Sequence, residues 1–310
     1  MKRVVFMGSP DFAVPTLHAL LDAEDVEVVG VVTQPDRPAG RGAQIRQTPV
    51  KELALAQGIE VYQPKKLRGD EALAKLTSWD ADLHIVAAYG QILSQAVLDI
   101  PREGSINVHA SLLPRWRGAS PIQAVIRAGD AVSGITIMGM DAGLDTGPIL
   151  KQAAIDLDPR ETGASLHDKL AAMGGPLLLE TLRENPPPQP QDDALATYAG
   201  QIKKEDGLID WTKTAQEIDR HVRAYFPWPG TFAYFNGKLL KIIAGLPIPG
   251  GTLAPGEVET GRDFPLVIGT GDGTFAPDVL QLEGKKRLSA ADFLNGNREI
   301  VGAVVGDSPM

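Results

Sequence analysis

The 310-residue sequence contains no cysteine. This absence excludes disulfide bonds, thiolate catalysis, iron–sulfur clusters and zinc sites with cysteine ligands, and it fits a reducing compartment. Long apolar runs are also missing. The apolar run at residues 4–7 is too short for a signal peptide or for a membrane span of about 20 residues. We therefore expect a cytoplasmic protein without a membrane segment.

Basic residues are fewer than acidic ones, and the net charge is −9 at pH 7. This balance argues against a protein that coats nucleic acid by bulk charge, although it permits a local basic patch. The hydrophobic fraction of 43% and the charged fraction of 22% are typical of a soluble globular protein. At this length the chain is expected to form roughly two domains.

Two common phosphate-binding motifs are absent as well. The turn after the first predicted strand, residues 8–11 (Gly-Ser-Pro-Asp), has one glycine where a dinucleotide-binding turn has G-x-G-x-x-G. No G-x-x-x-x-G-K-[ST] loop occurs either. The five histidines show no convincing metal-ligand spacing, so no metal site is expected.

Short apolar runs alternate with helical patterns in the first half of the chain. Helices are predicted near residues 14–21, with Asp11 as a helix cap, and at 49–57. The predicted strands are residues 4–7, 26–33, 83–89, 106–108 and 135–140. This alternation predicts an α/β, Rossmann-like domain with a mostly parallel sheet, in which ligands bind beyond the carboxyl ends of the strands.

The second half has a different pattern. A long amphipathic helix leads into the proline cluster at residues 186–190, which cannot continue a helix. Beyond it, residues 231–235 and 238–244 flank Asn-Gly, a strong hairpin signal, and glycine and proline recur as in a small barrel. We predict three parts: a catalytic domain at 1–185, a linker at 186–205 and a β-rich domain at 206–310.

Asn107 and His109 alternate on a predicted strand, so their side chains should share one face at its carboxyl end. An amide can stabilise a developing oxyanion, and an imidazole can exchange a proton near neutral pH. Asp145 lies in a glycine-rich turn that leaves the next strand and is able to hold the imidazole. These residues are consistent with attack on a carbonyl by the substrate's own amine or hydroxyl. They are equally consistent with a strand end that carries satisfied polar groups.

Residues 35–46 follow the second strand and carry Arg37, Arg41 and Arg46. Such a loop is able to reach phosphates at the edge of the sheet. The alternative is a solvated surface loop without a ligand.

Four stretches resemble one enzyme family, and the similarity extends along essentially the whole chain. They are residues 6–13, 34–42, 107–119 and 141–148. The Ser-Leu-Leu-Pro segment and the Arg-Gly that follows it are typical of folate-dependent formyltransferases. The arginine loop and the opening Met-Gly-x-Pro-Asp-Phe-Ala narrow the resemblance to the methionyl-tRNA formyltransferase family, whose small domain is an OB-like barrel.

The resemblance implies transfer of a formyl group from 10-formyltetrahydrofolate to the α-amino group of methionyl initiator tRNA, for translation initiation. Asn107 would stabilise the oxyanion, and His109, oriented and charged by Asp145, would handle the proton. The implied folate-contacting residues are Ser111, Leu112, Leu113 and Pro114. The implied tRNA-contacting residues are Arg37, Arg41 and Arg46. No metal is implied, and a monomer is expected.

Two departures from the family pattern concern Ser9, where threonine is expected, and residues 43–44, where relatives often carry lysines. Other formyl-folate enzymes of this fold, such as a sugar-nucleotide formyltransferase or a formyltetrahydrofolate hydrolase, are alternatives. They should lack the arginine loop. A non-catalytic RNA-binding module is a third interpretation, and the intact set of Asn107, His109 and Asp145 argues against it.

Overall fold

The computed structural model describes residues 1–39 and 44–306. It contains two compact units. The first comprises Met1–Pro121, Val132–Asp156 and His167–Gly200, and the second comprises Ile122–Ala131, Leu157–Leu166 and Gln201–Met310. Within the described ranges, none of the helices combines the length and the apolarity that crossing a membrane would need.

Residues 1–200 form strands and helices in an order that alternates through most of the segment. They are β1 (Lys2–Gly8), α1 (Val14–Asp22), β2 (Val26–Val32), β3 (Arg37–Ala39), β4 (Gln44–Arg46), α2 (Pro49–Ala56), β5 (Val61–Tyr62), α3 (Asp70–Ser78), β6 (Leu83–Ala87), α4 (Gln95–Leu98), β7 (Ser105–His109), β8 (Arg117–Gly118), α5 (Pro121–Ala128), β9 (Val132–Gly139), β10 (Ile149–Asp156), α6 (Gly163–Glu184) and β11 (Tyr198–Ala199).

Seven strands form the central sheet of the first unit, in the order β10-β9-β7-β6-β1-β2-β5. The pairs β1–β2, β1–β6, β6–β7 and β2–β5 are parallel. The predicted Rossmann-like, mostly parallel sheet is therefore confirmed, and each predicted strand of the first half is present. Because these strands run in one direction, the carboxyl ends of β1, β2, β6 and β7 meet at one edge of the sheet.

The direction of β9 differs from the expectation. β9 is antiparallel to β7, with Gly139 opposite Ile106 and Thr136 opposite His109. The turn after β9 therefore starts beside the amino-terminal half of β7, and not at an adjacent carboxyl end. Three residues of strand separate Ile106 from His109, which is about 10 Å at roughly 3.3 Å per residue. The chain after β9 must travel back over this distance to reach His109.

The predicted cap of the first helix is wrong. Asp11 begins a short 3-10 helix (Asp11–Ala13), and α1 follows it with Ala13 at the cap position and no side-chain cap. Pro15 occupies the first turn of α1, where its missing N–H leaves no hydrogen bond unmade. The glycine pair Gly174-Gly175 of α6 packs closely against α1. A Cβ atom on Gly175 would lie only 2.6 Å from the Cβ of Ala19. The glycines thus permit close approach of the two helices.

The second unit is an antiparallel sheet with the order β12-β13-β16-β15-β14, and β17 pairs with β16. Its elements are α7 (Ala215–Ala224), β12 (Thr231–Phe235), β13 (Lys238–Ile248), β14 (Val258–Glu259), β15 (Val267–Gly269), β16 (Thr274–Leu282), β17 (Leu288–Ser289) and α8 (Ala290–Gly296). The predicted hairpin is confirmed: Phe235 pairs with Lys238, and Asn236 and Gly237 have φ of 48° and 72°.

The last described residues close this sheet. Tyr234 of β12 exchanges two backbone hydrogen bonds with Gly306, while Val258 of β14 bonds Ala303 and Gly302. The segment 302–306 therefore bridges the two edge strands, as a barrel requires. The interior of the unit is apolar, with residues such as Trp211 and Phe275 in its core.

Candidate active site

The structure brings Asn107, His109 and Asp145 together at the carboxyl end of β7. The amide Nδ2 of Asn107 lies 3.5 Å from Oδ1 of Asp145. Nδ1 of His109 lies 3.7 Å from Oδ2 of Asp145. Asn107 and His109 are two residues apart on β7, so their side chains reach the same carboxylate from one face of the sheet. The three residues were predicted to form one set, and here they share one site.

His109 is buried, with 5% of its surface exposed, and both of its ring nitrogens face oxygen atoms. Nε2 lies 3.0 Å from the carbonyl oxygen of Trp116. Because a carbonyl only accepts hydrogen bonds, Nε2 carries a proton in this contact. In the neutral ring, Nδ1 then faces Asp145 as an acceptor, and only a protonated ring forms an ion pair with the carboxylate. The orientation of the ring is therefore fixed between the carbonyl of Trp116 and the carboxylate of Asp145.

Asp145 is held by both its side chain and its backbone. Its Oδ2 accepts a hydrogen bond of 2.7 Å from the backbone N–H of Gly118. Its φ of 52° lies in the left-handed region, which asparagine and aspartate tolerate better than most residues. This conformation belongs to residues 140–148, the stretch that returns from the end of β9 to His109. The carboxylate thus reaches the imidazole through loop geometry that strand order alone does not supply.

The segment 111–114 lies directly beyond β7 and is fixed by internal hydrogen bonds. The hydroxyl of Ser111 donates to the carbonyl of Arg115, and the backbone N–H of Leu113 donates to Thr136 Oγ1. Ser111 and Leu113 are buried, whereas Leu112 and Pro114 are half-buried. The side chains of Leu112 and Pro114 are therefore the ones left partly accessible to a ligand beside His109.

Two of the three predicted loop arginines lie on a short hairpin. Arg37 of β3 is directly opposite Arg46 of β4, and both side chains are exposed. Arg41 lies outside the described residues. The base of the hairpin is anchored by Asp36, whose carboxylate accepts 2.7 Å and 2.6 Å bonds from Gln63 and Lys51. These bonds, that from Gln63 first, lower the pKa of Asp36.

Some features at this edge of the sheet were not predicted. Ser9, at the end of β1, accepts hydrogen bonds from the hydroxyl of Thr33 and from the backbone of Gln34 at the end of β2. Gln34 also donates to the carbonyl of Tyr89, in the loop after β6. Gly90, which has a φ of 80°, was the usable sequence signal for that loop, whereas Ala88, with a φ of 46°, gave none.

A second unpredicted residue is Gln191, in the stretch interpreted as a linker. Its amide contacts the carbonyl oxygens of Asp145 and Gly147. No sequence signal connects it to them, since 46 positions separate Gln191 from Asp145.

Three other histidines of the first unit have surroundings that differ from those of His109. His84 is fully buried on β6, and burial lowers its pKa to about 4. His18 is exposed on α1, and His167 makes an edge-on ring contact with Phe12. Across residues 1–39 and 44–306, no group of three or more histidine, aspartate or glutamate side chains is arranged to hold a metal ion.

Two family models match the chain. The model described as formyl transferase matches residues 1–182, and the model described as formyl transferase, C-terminal domain, matches residues 201–298. Together they span both halves of the sequence.

Proteins named methionyl-tRNA formyltransferase are similar over nearly the whole length. The protein from Magnetococcus marinus is 51% identical, with 98% of each chain covered. The protein from Gluconobacter oxydans is 50% identical, over 95% of this chain and 96% of the relative. The protein from Pseudomonas fluorescens is 47% identical, over 99% of this chain and 97% of the relative.

Solved structures share the fold at low sequence identity. A methionyl-tRNA formyltransferase from Clostridium thermocellum aligns with a TM-score of 0.57 and 14% identity, over 91% of this chain and 99% of that one. The sugar 3N-formyl transferase WlaRD, solved with dTDP and 5-N-formyl-THF, aligns with a TM-score of 0.65 and 20% identity, over 92% of this chain and 99% of that one. On the two model matches and the identity to its relatives, the chain belongs to the formyl transferase family.

Proposed function

We propose that this protein transfers the formyl group of 10-formyltetrahydrofolate to the α-amino group of methionyl initiator tRNA, giving N-formylmethionyl-tRNA for translation initiation. The proposal rests on one observation: the side chains of Asn107, His109 and Asp145 lie together at the end of β7 in a member of the formyl transferase family. Relatives with 47–51% identity over almost the whole chain carry the name of that activity. A folate co-substrate agrees with the family.

The reaction needs no enzyme nucleophile, since the amine of methionine attacks the formyl carbon. As the new C–N bond forms, the carbonyl electron pair moves to oxygen, where the Asn107 amide donates a hydrogen bond to the negative charge. The C–N bond to the donor then breaks, and the proton lost by the attacking amine balances the one gained by the leaving nitrogen. In this proposal His109 carries that proton, and Asp145, 3.7 Å from its Nδ1, supports the ring.

The folate would lie against the segment 111–114. Ser111 and Leu113 form hydrogen bonds to Arg115 and Thr136 and so fix the shape of the segment. Leu112 and Pro114 present partly accessible apolar surface. An apolar surface beside a few fixed polar groups suits a flat, aromatic pterin ring. This division of roles among Ser111, Leu112, Leu113 and Pro114 is part of the proposal.

The tRNA would meet the hairpin β3–β4. Arg37 and Arg46 are directly opposite each other, a placement in which like charges repel. An anion between them removes that repulsion, and a phosphate group fits two guanidinium groups well. Arg41 belongs to the same proposed surface, although it lies outside the described residues. With a net charge of −9 the chain lacks bulk attraction for nucleic acid, so local basic surfaces such as this one would supply the phosphate contacts.

The division into a catalytic domain at 1–185, a linker at 186–205 and an OB-like domain at 206–310 that assists tRNA binding is also proposed. We further propose that the protein acts as a monomer in the cytoplasm, where charged initiator tRNA is found, and that it needs no metal.

The test is His109→Ala, with His18→Ala as the control because the side chain of His18 is exposed on α1. Loss of a general acid–base group lowers the rate about 100- to 10,000-fold. We expect that loss in kcat for His109→Ala, with a cooperative thermal melt that shows a folded protein, and full activity for His18→Ala. Each protein is assayed with 10-formyltetrahydrofolate as the formyl donor. Three acceptors are compared in separate assays: methionyl initiator tRNA, a UDP-amino sugar, and water. Near-normal transfer by folded His109→Ala would contradict the assignment, and preference for the sugar or water would favour the alternatives.

A further inference from the structure

The geometry points to Gln191 as a positioning residue that sets the carboxylate of Asp145 against His109. This inference rests on the proposed function, since it concerns the same reaction. Gln191 does not touch His109. It acts through the backbone of the loop that carries Asp145, by hydrogen bonds to the carbonyl oxygens of Asp145 at 2.8 Å and of Gly147 at 2.7 Å.

The amide of Gln191 is part of a closed set of hydrogen bonds, which we call the Asp145 ring. Oε1 of Gln191 accepts bonds from Nε and a terminal nitrogen of Arg117, at 3.0 Å and 2.9 Å. Arg117 is followed by Gly118, whose N–H donates to the Asp145 carboxylate at 2.7 Å. The path therefore runs from the Asp145 carbonyl through Gln191, Arg117 and Gly118 back to the Asp145 side chain. Both ends of one residue are fixed by the same ring.

Only glutamine satisfies this arrangement at position 191. Its two N–H groups each meet a carbonyl, and its oxygen meets two N–H groups of Arg117. Arginine donates and never accepts, so it fixes which side of the amide faces it. Arg117 is itself 1% exposed, and its charge is balanced by Asp193 at 2.7 Å. Gln191 thus rests on a buried, immobilised guanidinium group.

The local conformation of Asp145 does not by itself fix its carboxylate. Its backbone is left-handed, a conformation that costs most residues other than glycine of order 1–2 kcal/mol and costs aspartate less. The loop 140–148 starts about 10 Å away along β7, since β9 is antiparallel to β7. The bonds within this loop run from Gly143 and Thr146 to the carboxylate of Asp141, four residues before Asp145. The bond from Gln191 holds the carbonyl of Asp145 itself.

The chain around Gln191 is also tied to the site. Gln189 exchanges two backbone hydrogen bonds of 2.8 Å with Ile149, directly after the Asp145 loop. Farther on, β11 pairs with β8, and the backbone N–H of Arg117 donates to the carbonyl of Thr197. The segment 189–199 therefore crosses the two loops that meet at Asp145, and Gln191 is its contact with the Asp145 carbonyl.

The test uses Gln191→Glu, with Gln189→Glu as a matched control on an exposed side chain of the same segment. Glutamate keeps both acceptor contacts to Arg117 but cannot donate to the carbonyls of Asp145 and Gly147. Misplacement of a reacting group by about 1 Å can cost roughly 100-fold in rate. We expect kcat to fall about 10- to 100-fold for Gln191→Glu, with both KM values near normal and a cooperative thermal melt that shows a folded protein. Gln189→Glu should behave as the natural protein does.

A double-mutant cycle separates positioning from plain structural support. Asp145→Gly removes the carboxylate and keeps the left-handed backbone without strain. If Gln191 acts through Asp145, adding Gln191→Glu to Asp145→Gly changes the residual single-turnover rate less than about twofold. An equal loss in both backgrounds would overturn the inference. Gln191→Asn, which keeps the amide but shortens it, serves in the same cycle if the glutamate variant does not fold.

These outcomes are distinguishable from failure of the proposed function. If the natural protein transfers no formyl group to methionyl-tRNA, the reaction itself is wrong. If Asp145→Gly keeps full activity, the roles given to Asn107, His109 and Asp145 are wrong, and the inference about Gln191 falls with them. If only the cycle shows equal losses, the site stands and Gln191 is merely structural.

Discussion

The hairpin that carries Arg37 and Arg46 offers a quantitative test of how an acidic protein binds tRNA. The two residues pair across β3 and β4 with both side chains exposed, so the double variant Arg37→Gln/Arg46→Gln should remove two phosphate contacts without disturbing a core. Exposed ion pairs contribute up to about 1 kcal/mol each, so two of them correspond to roughly a 30-fold loss in kcat/KM for methionyl-tRNA. The KM for 10-formyltetrahydrofolate should not change.

Salt dependence gives the sharper measurement, because each phosphate contact contributes about 0.7 to 0.9 to the slope of log affinity against log salt. The logarithm of kcat/KM for tRNA should therefore fall less steeply with salt in the double variant, by about 1.4 to 1.8. A suitable control is Arg102→Gln/Arg183→Gln. It removes the same charge from two exposed arginines whose partners include Asp80 and Asp25, which precede β6 and β2.

The control variant lies at the amino ends of the strands, opposite to the proposed tRNA surface. Its slope should match that of the natural protein. An unchanged slope in Arg37→Gln/Arg46→Gln would refute the assignment of these residues to phosphate contacts. A control that loses as much as the test variant would show that net charge, and not this hairpin, governs binding.

Two further predictions concern stability. Burial lowers the pKa of His84 from its usual 6.5 to about 4, so between pH 6.5 and pH 4 the unfolded chain binds a proton that the folded chain does not. The free energy of unfolding should therefore fall by about 3 kcal/mol over this range. Urea melts of His84→Leu should lack this fall, and a variant with the same pH dependence as the natural protein would contradict the reasoning. Asp219 is 2% exposed and pairs with Arg160 and Arg223 in the second unit. Asp219→Ala should therefore lower the free energy of unfolding of that unit, measured in urea, by about 3 kcal/mol. A loss below about 1 kcal/mol would show that the ion pairs contribute little.

Features set by neighbouring residues were predictable from the sequence. The runs of β1, β2, β6 and β7 are short, apolar and mostly buried, which is typical of strands in a parallel sheet that is covered on both faces. The hairpin at residues 231–248 follows from Asn236-Gly237, which adopts the positive φ that a two-residue turn needs. Asn107 and His109 share a face for the same local reason, the two-residue period of a strand.

Features set by contacts between distant residues were not predictable in this way. The apolar run of β9 is the same whether the strand is parallel or antiparallel to β7, so the path of Asp145 to His109 was missed. The proline cluster at residues 186–190 shows that the chain is extended but not where it goes. Because proline lacks an N–H, Gln189 is the one residue within 186–190 whose backbone can donate a hydrogen bond, and it donates to Ile149. Gln191 makes its contact with Asp145 through its side chain. An extended, proline-rich chain has little conformational entropy left to lose when it packs across two loops, and this property suits the segment 189–199 to hold them.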